Sequence, residues 1–97
     1  MKLQWDEDKN RENHSKHGVS LEQAGALFLS GNDYLEVFDA AHSIEEDRFI
    51  AIGPIVEGLV VVVWTERDED VLRIISARWA TPREQSMYHA AMERTHE

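Results

Sequence analysis

The spacing of hydrophobic and polar positions changes once along the chain, near residue 34. Before that point, apolar residues recur every three or four positions, which is the period of one face of an α-helix. These residues are Leu21, Ala24, Leu27 and Phe28. Ser20 and Gln23 have the spacing of a capping box, and Gly31-Asn32 follows as a stop. The pattern therefore predicts a helix between residues 20 and 31.

Two further helices are predicted from their end signals. Asp6 can accept hydrogen bonds from the free backbone N–H groups of a helix that runs to about His17, and Gly18 suits the left-handed conformation that ends it. A short extended piece, residues 2–5, precedes this helix. Near the other end of the chain, Thr81 and Glu84 have the spacing of a capping box around Pro82. We expect this last helix to reach Met92 or beyond.

From residue 34 onward, short runs rich in β-branched and aromatic residues alternate with turn signals. The predicted strands are Tyr34–Phe38, Arg48–Ile52, Leu59–Thr65 and Val71–Trp79. Gly53-Pro54, Gly58 and the acidic turn 66–70 separate them, and such short connections favour antiparallel hairpins. The all-apolar run 60–63 favours a central strand covered on both faces. The order β-α-α-β-β-β-β-α indicates an α+β fold, with helices packed on a mainly antiparallel sheet of four to five strands.

Length and composition limit the possible classes of protein. A chain of 97 residues cannot divide its core between two units, so we expect one domain over residues 1–97. No apolar run is long enough to span a membrane, and the N-terminus lacks the apolar stretch of a secretion signal, so we expect a soluble cytoplasmic protein. The absence of cysteine excludes disulfides, thiolate zinc sites and thiol nucleophiles.

The net charge of −9 is distributed unevenly. Residues 19–47 contain seven acidic and no basic side chains, whereas residues 48–83 contain five of each. Proteins that bind nucleic acid strongly and without sequence preference usually cluster Lys and Arg. The charge pattern therefore excludes strong nonspecific binding of nucleic acid, but it leaves room for an RNA site on the segments that are neutral in sum.

Three blocks of residues resemble the BrnT family of toxins. They run from Trp5 to Ala24 through Lys16-His17-Gly18-Val19-Ser20, from His42 to Gly53 through Glu46-Asp47-Arg48, and from Arg73 to Tyr88 through Ser76-Ala77-Arg78. The resemblance implies a RelE-like fold, with helices on a twisted antiparallel sheet. It also implies the toxin of a type II toxin-antitoxin pair, which cleaves RNA and inhibits translation. A BrnA-like antitoxin would neutralise it in a hetero-oligomer and would alone contact operator DNA.

Cleavage of RNA without a metal requires a base for the 2′-hydroxyl proton, an acid for the leaving oxygen and cations for the charge at phosphorus. His17 is the leading acid/base candidate, because it lies at a helix C-terminus where the dipole favours the protonated ring. Its alternative role is to cap the helix or to pack against Trp5. Glu46 is a second candidate for the base, and its alternative is a solvated carboxylate in an acidic run.

Three arginines are candidate phosphate ligands. Arg78 is the preferred one, because it ends a strand beside the turn into the last helix and can contact two phosphoryl oxygens at once. Arg73 lies five residues earlier, which places it on the opposite face of a regular strand unless a bulge intervenes. In that arrangement Arg78 shares a face with Ser76, Ile74 and Leu72. The alternative for Arg73 is an ion pair in its own hairpin, and Arg48 either adds a cation to the site or pairs with Glu46.

Lys16, Arg73 and Tyr88 are the predicted RNA contacts, although an exposed lysine can serve only as a dipole partner and an aromatic in a helix is more often core. We predict no metal site, because His14 and His17 form a lone pair without a second set of ligands. No glycine-rich phosphate loop or nucleotide fingerprint is present, so we predict no cofactor. The alternative function is a catalytically weak or inactive module that acts as antitoxin partner and co-repressor, motivated by the acidic segment 19–47.

Overall fold

The elements of the computed structural model, which describes residues 1–95, follow the predicted order. They are β1 (Lys2–Gln4), α1 (Glu7–His17), α2 (Leu21–Leu29), β2 (Leu35–Phe38), a 3-10 helix (Ala40–His42), β3 (Phe49–Ile55), β4 (Gly58–Arg67), β5 (Val71–Trp79) and α3 (Pro82–Thr95). Some details differ from prediction, including β4, which extends to Arg67 into the predicted turn 66–70. The short 3-10 helix has no signal in the pattern, and β3 continues through Gly53-Pro54 instead of ending there.

The first two helices begin and end at the predicted residues. The carboxylate of Asp6 accepts hydrogen bonds from two backbone N–H groups in the first turn of α1, at 2.9 and 3.1 Å. Gly18 ends α1 with a φ of 75°, in the left-handed region that favours glycine. Ser20 and Gln23 form both hydrogen bonds of the capping box, at 2.8 and 2.9 Å. These local contacts fix where α1 begins and ends and where α2 begins.

The five strands form one sheet in the order β1-β5-β4-β3-β2, with β4 at its centre. Every neighbouring pair is antiparallel except β1 and β5, which are parallel. This arrangement confirms the α+β fold with helices on a mainly antiparallel sheet. Since β4 is central, its valine run is covered from both sides, as predicted.

Each face of the sheet has its own hydrophobic cluster. The first face packs against α1 and α2, through the main core of Val19, Leu21, Ala24, Leu27, Ala51, Val60, Val62, Trp64, Leu72, Ile74 and Ala77. The second face packs against α3, through the smaller cluster of Leu35, Ile50, Ile52, Leu59, Val61, Ala80 and Tyr88. The same face also carries the polar side chains of Thr65, Arg67, Arg73 and Ser76 among apolar ones such as Val63 and Val71, and it includes the candidate site.

The expectation that Arg73 and Arg78 lie on opposite faces is wrong, because β5 contains a bulge. Val63 pairs with Ser76 and Trp64 pairs with Ile74, so Ile75 has no partner on β4. The extra residue reverses the alternation of side chains along the strand. Both arginines therefore belong to the second face, and Leu72 and Ile74 do not share a face with Arg78.

The side chain of Asn13 joins α1 to the free edge of β5, beyond the end of the short strand β1. Its amide nitrogen donates to the carbonyl oxygen of Ala77 at 2.7 Å, and its amide oxygen accepts from the Ala77 N–H at 3.1 Å. The same nitrogen donates to the carbonyl oxygen of Val19 at 2.8 Å. Asn13 is buried, so these three bonds hold the end of α1, with Lys16 and His17, at this edge.

None of the three helices has the length and apolar character that a membrane span requires, within residues 1–95.

Candidate active site

The connection between β2 and β3, residues 39–48, bounds a cleft at the end of the second face. The cleft has a volume of about 660 Å³ and is lined by Ala41, His42, Ile44, Glu45, Glu46, Arg48 and Arg67. Arg67 comes from the end of β4, and all other residues come from the connection itself. The cleft therefore brings together two elements that are nearly 20 residues apart in the sequence.

Hydrogen bonds pin the connection at both ends. The backbone N–H of Asp39 donates to the carbonyl oxygen of Arg48 at 2.8 Å. The Ser43 hydroxyl donates to the carbonyl oxygen of Asp39 at 2.6 Å and accepts from the Arg48 N–H at 2.9 Å. The buried hydroxyl of Thr65, on β4, donates to the carbonyl oxygen of Asp47 at 2.6 Å. The wall of the cleft is thus fixed to the sheet by buried or partly buried bonds.

Glu46 lies between two arginine side chains. One carboxylate oxygen is 3.3 Å from Arg67 Nη2, and the other is 3.7 Å from Arg48 Nη2. The second distance is too long for a hydrogen bond. The Nε of Arg48 is buried and has no hydrogen-bond partner within residues 1–95. Arg48 therefore has unused donors on a partly buried guanidinium, a group that takes oxyanions in a bidentate geometry.

His42 lines the same cleft and is held by an aspartate. Its Nδ1 lies 2.8 Å from an Asp39 carboxylate oxygen. The Asp39 side chain is only 15% exposed, whereas that of His42 is 69% exposed. No sequence argument assigned a role to Asp39, His42 or Arg67. His42 belongs to one of the three blocks that resemble a known family. Nothing in the sequence indicates that Arg67 lies in the same cleft.

His17 and Lys16 lie in a different place. They line a groove of about 220 Å³ at the free edge of β5, together with Lys9, Glu12, Asn13, Ile75 and Ser76. This groove shares no lining residue with the cleft. The structure therefore does not bring His17 together with Glu46 and Arg48. Residues 1–95 contain no group of three or more His, Asp or Glu side chains placed to hold a metal ion.

Both Nη atoms of Arg78 donate hydrogen bonds to the carboxylate oxygens of Glu84 on α3, at 2.6 and 2.7 Å. Glu84 also caps α3, because it accepts from the Thr81 N–H at 2.9 Å. The hydrogen bonds from Arg78 lower the pKa of Glu84 to about 2. On the same helix, Tyr88 packs into the cluster of the second face. The predicted phosphate ligand thus already has a carboxylate partner in this structure.

Arg73 lies closer to the cleft than Arg78 does. It pairs in register with Thr65 of β4, and Phe49 pairs with Trp64, so Arg48 lies opposite Thr65 on the other side of that strand. Two strand spacings separate the backbones of the two arginines, about 10 Å. Arg73 Nη1 donates to Gln4 Oε1 at 2.8 Å, instead of forming the alternative ion pair within its hairpin.

Two comparisons with known proteins gave a match. A family model described as the ribonuclease toxin BrnT of type II toxin-antitoxin systems matches residues 5–84. Among solved structures, the chain is similar to the crystal structure of the Brucella abortus ribonuclease toxin BrnT, with 30% sequence identity and a TM-score of 0.66 over 84% of this chain and 97% of that chain. Comparison with curated proteins gave no significant match.

Proposed function

Because the chain belongs to the BrnT family of ribonuclease toxins of type II toxin-antitoxin systems, we propose that it is an endoribonuclease that works without a metal. The 2′-hydroxyl of the RNA attacks the adjacent phosphorus, and the 5′-oxygen leaves. Cutting RNA in the cytoplasm in this way inhibits translation. The reaction centre in this proposal is the cleft between the connection 39–48 and the end of β4.

The unused donors of Arg48 are the observation that carries this proposal. Arg48 Nη2 lies 3.7 Å from Glu46, beyond hydrogen-bond range, and the side chain is 36% exposed, so a phosphate oxygen in the cleft can accept a hydrogen bond from it. Arg67 lies across Glu46 from Arg48, so two guanidinium groups can face one phosphate. Glu46 orients both arginines in the free protein, and it is the candidate base closest to them. Donors fixed before the substrate arrives stabilise the extra charge that develops at phosphorus.

The lining of the cleft carries no excess of acidic residues, although the chain as a whole has a net charge of −9. The two arginines among its lining residues balance Glu45 and Glu46. RNA is then held by a few well-placed contacts and not by a broad positive surface. Arg73, on the same face, remains a candidate backbone contact beside the cleft.

The other predicted residues keep narrower roles in this proposal. Lys16 and His17 can contact RNA only where the chain of the substrate extends past the edge of β5. Arg78 can bind phosphate only if it leaves Glu84, and Tyr88 only if its ring remains accessible beside α3. These four residues are therefore secondary candidates, after Arg48 and Glu46.

Family membership implies an antitoxin partner. We infer that this partner is BrnA-like, forms a hetero-oligomer with the toxin and is alone responsible for contact with operator DNA. The segment 19–47, with seven acidic and no basic side chains, supports docking of a basic region of the antitoxin. Exposed Val37 on the outer strand β2, which pairs with Ile50 of the second face, and exposed Ile44, which lines the cleft, offer apolar contacts to the antitoxin. An antitoxin bound there would also cover the cleft.

The test is cleavage of RNA by purified protein, free of antitoxin, in the presence of EDTA. We expect Arg48→Ala to lower the cleavage rate about 10²- to 10³-fold, as removal of one donor to a developing oxyanion does. Arg11→Ala is the matched control, because Arg11 is an exposed arginine on α1 that pairs only with Asp8. The proposal is wrong if the wild type does not cleave RNA, or if the two variants lose activity equally.

The alternative, an inactive module that serves as antitoxin partner, is favoured by the acidic segment 19–47. Expression without the antitoxin separates the two functions. Growth arrest by the wild type, relieved in Arg48→Ala, supports the ribonuclease. Harmless accumulation of folded protein supports the module.

A further inference from the structure

We propose that His42 is the general base of the RNA cleavage reaction and that Asp39 positions it. This inference depends on the proposed function, since it assigns a proton acceptor to the same cleft. It differs from the expectation drawn from the sequence, in which His17 was the leading acid/base candidate and Glu46 a candidate base.

The first argument is the geometry of the pair. Asp39 accepts the hydrogen bond of Nδ1, at 2.8 Å. With a carboxylate as its partner, Nδ1 is the donor, so in the neutral ring Nε2 carries a free lone pair. Since the ring is 69% exposed and lines the cleft, Nε2 is accessible to a substrate hydroxyl. A carboxylate behind an imidazole fixes its tautomer and stabilises the ring once it has taken a proton.

The second argument is that one set of bonds positions both the histidine and the arginine. Ser43 Oγ bridges the carbonyl oxygen of Asp39 and the N–H of Arg48. The Asp39 N–H donates to the carbonyl oxygen of Arg48, and the His42 N–H donates to the Asp39 carbonyl oxygen at 3.2 Å. The acceptor of the proton and the ligand of the phosphate are thus held in one frame, as a reaction at a single phosphorus requires.

The third argument is the balance of charge. The charged groups around the ring are Asp39, Glu45, Glu46, Arg48 and Arg67. The two carboxylate oxygens of Glu46 each lie within ion-pair distance of an arginine, whereas the imidazole of His42 is exposed on the lining of the cleft. When His42 takes a proton, the lining of the cleft gains one positive charge at the moment when the phosphorus gains negative charge.

The step balances as follows. Nε2 takes the proton of the 2′-hydroxyl, the bond from O2′ to phosphorus forms, and the bond from phosphorus to O5′ breaks. The leaving O5′ takes a proton from water. The products are a 2′,3′-cyclic phosphate and a 5′-hydroxyl, and the imidazolium returns its proton to solvent.

The experiment measures single-turnover cleavage of an RNA oligonucleotide in EDTA as a function of pH. In the wild type we expect the rate to fall on acidification through the range where imidazoles generally titrate, about pH 6 to 7. His42→Ala should lose about 10²- to 10⁴-fold and should no longer show this fall, the usual effect of removing a general base. Added imidazole should restore part of its activity. His14→Ala, which removes an exposed histidine of α1, is the control.

Asp39→Asn tests the positioning role. We expect this variant to keep the fold and to lose activity, because the Asn amide can donate to Nδ1 and so favour the ring tautomer that leaves no lone pair on Nε2. His42→Gln, which can still bond to Asp39, separates loss of chemistry from loss of loop structure.

The outcomes separate the two proposals. If the wild type cleaves RNA and His42→Ala matches His14→Ala in rate and pH profile, the inference is wrong and the ribonuclease proposal stands. A loss in His17→Ala that exceeds the loss in His42→Ala also overturns it. Absence of cleavage by the wild type overturns both.

Discussion

The ion pair between Arg78 and Glu84 makes a prediction whose magnitude can be worked out. The perturbation is Glu84→Gln, which removes the charge but keeps a side-chain oxygen that can accept from the Thr81 N–H and from Arg78. The capping bond of α3 at 2.9 Å is therefore preserved. What is lost is the charged, two-point contact between β5 and α3.

The pKa of Glu84 gives the upper limit of the effect. A fall from the ordinary 4.5 to about 2 corresponds to at most about 3 kcal/mol of stability, since a tenfold change in an equilibrium constant is about 1.4 kcal/mol. The Arg78 side chain is 44% exposed and that of Glu84 is 20% exposed, so solvent screens the pair. Allowing for screening, we expect about 1 kcal/mol. In a domain of this size that is about 4 to 8 °C in Tm.

The sign of the pH dependence follows from the lowered pKa. A carboxylate with a lowered pKa in the folded state contributes its full stability above its unfolded pKa, here 4.5, and loses it as the pH falls towards about 2. The free energy of unfolding of the wild type should therefore exceed that of Glu84→Gln at pH 7, and the two should converge between pH 4.5 and 2. Urea denaturation at a series of pH values measures this difference. A difference that is below about 0.5 kcal/mol at pH 7, or that persists unchanged at pH 2.5, would refute the reasoning.

The same variants test whether Arg78 contacts RNA. If it does, Glu84→Gln frees the guanidinium and raises the cleavage rate, whereas Arg78→Ala lowers it. If the arginine only joins α3 to the sheet, both variants lower Tm and neither raises cleavage.

Three other expectations follow from the structure. Asn13→Ala should lower the free energy of unfolding by about 3 kcal/mol in urea denaturation, because three buried hydrogen bonds are lost and backbone groups stay unpaired; a loss below 1 kcal/mol would contradict the role of its amide. Gly53→Ala should cost about 1–3 kcal/mol by thermal denaturation, since a Cβ there would meet Leu27 at 2.6 Å and Tyr34 at 2.7 Å; an unchanged Tm would contradict it. Arg67→Ala should reduce the slope of log affinity for single-stranded RNA against log salt by about 0.7, the value for one phosphate contact; an unchanged slope would place Arg67 off the RNA.

The parts of the fold that depend on local chemistry were predictable from the sequence. The cap at Asp6, the glycine at residue 18 and the capping box at Ser20 involve residues within three or four positions of each other. A hydrophobic period of two or of 3.6 residues identifies a strand or a helix for the same reason. The order of elements and the α+β class follow from these local signals.

Features set by the pairing of distant residues could not be predicted. The bulge at Ile75 depends on how β5 meets β4, and nothing around Ile75 in the sequence indicates an unpaired residue. The cleft forms where Arg67 lies beside residues 42–48, which are 19 to 25 positions earlier in the sequence. His17 was favoured over His42 as acid/base because the helix end around it was visible in the sequence, whereas the hydrogen bonds that hold His42 were not.

The bulge at Ile75 has a consequence for how this chain can change its length. It divides β5 into two parts whose side chains alternate in opposite phase, so that Leu72 and Ala77 both face the main core. Deleting the single residue Ile75 would remove the unpaired position and leave every other pair with β4 in register, so both arginines would stay on the second face. Substitution of Ile75 by another apolar residue leaves both arginines in place. Homologous chains should therefore have the two arginines either five residues apart with a bulge between them or four residues apart without one, since both spacings place them on the same face.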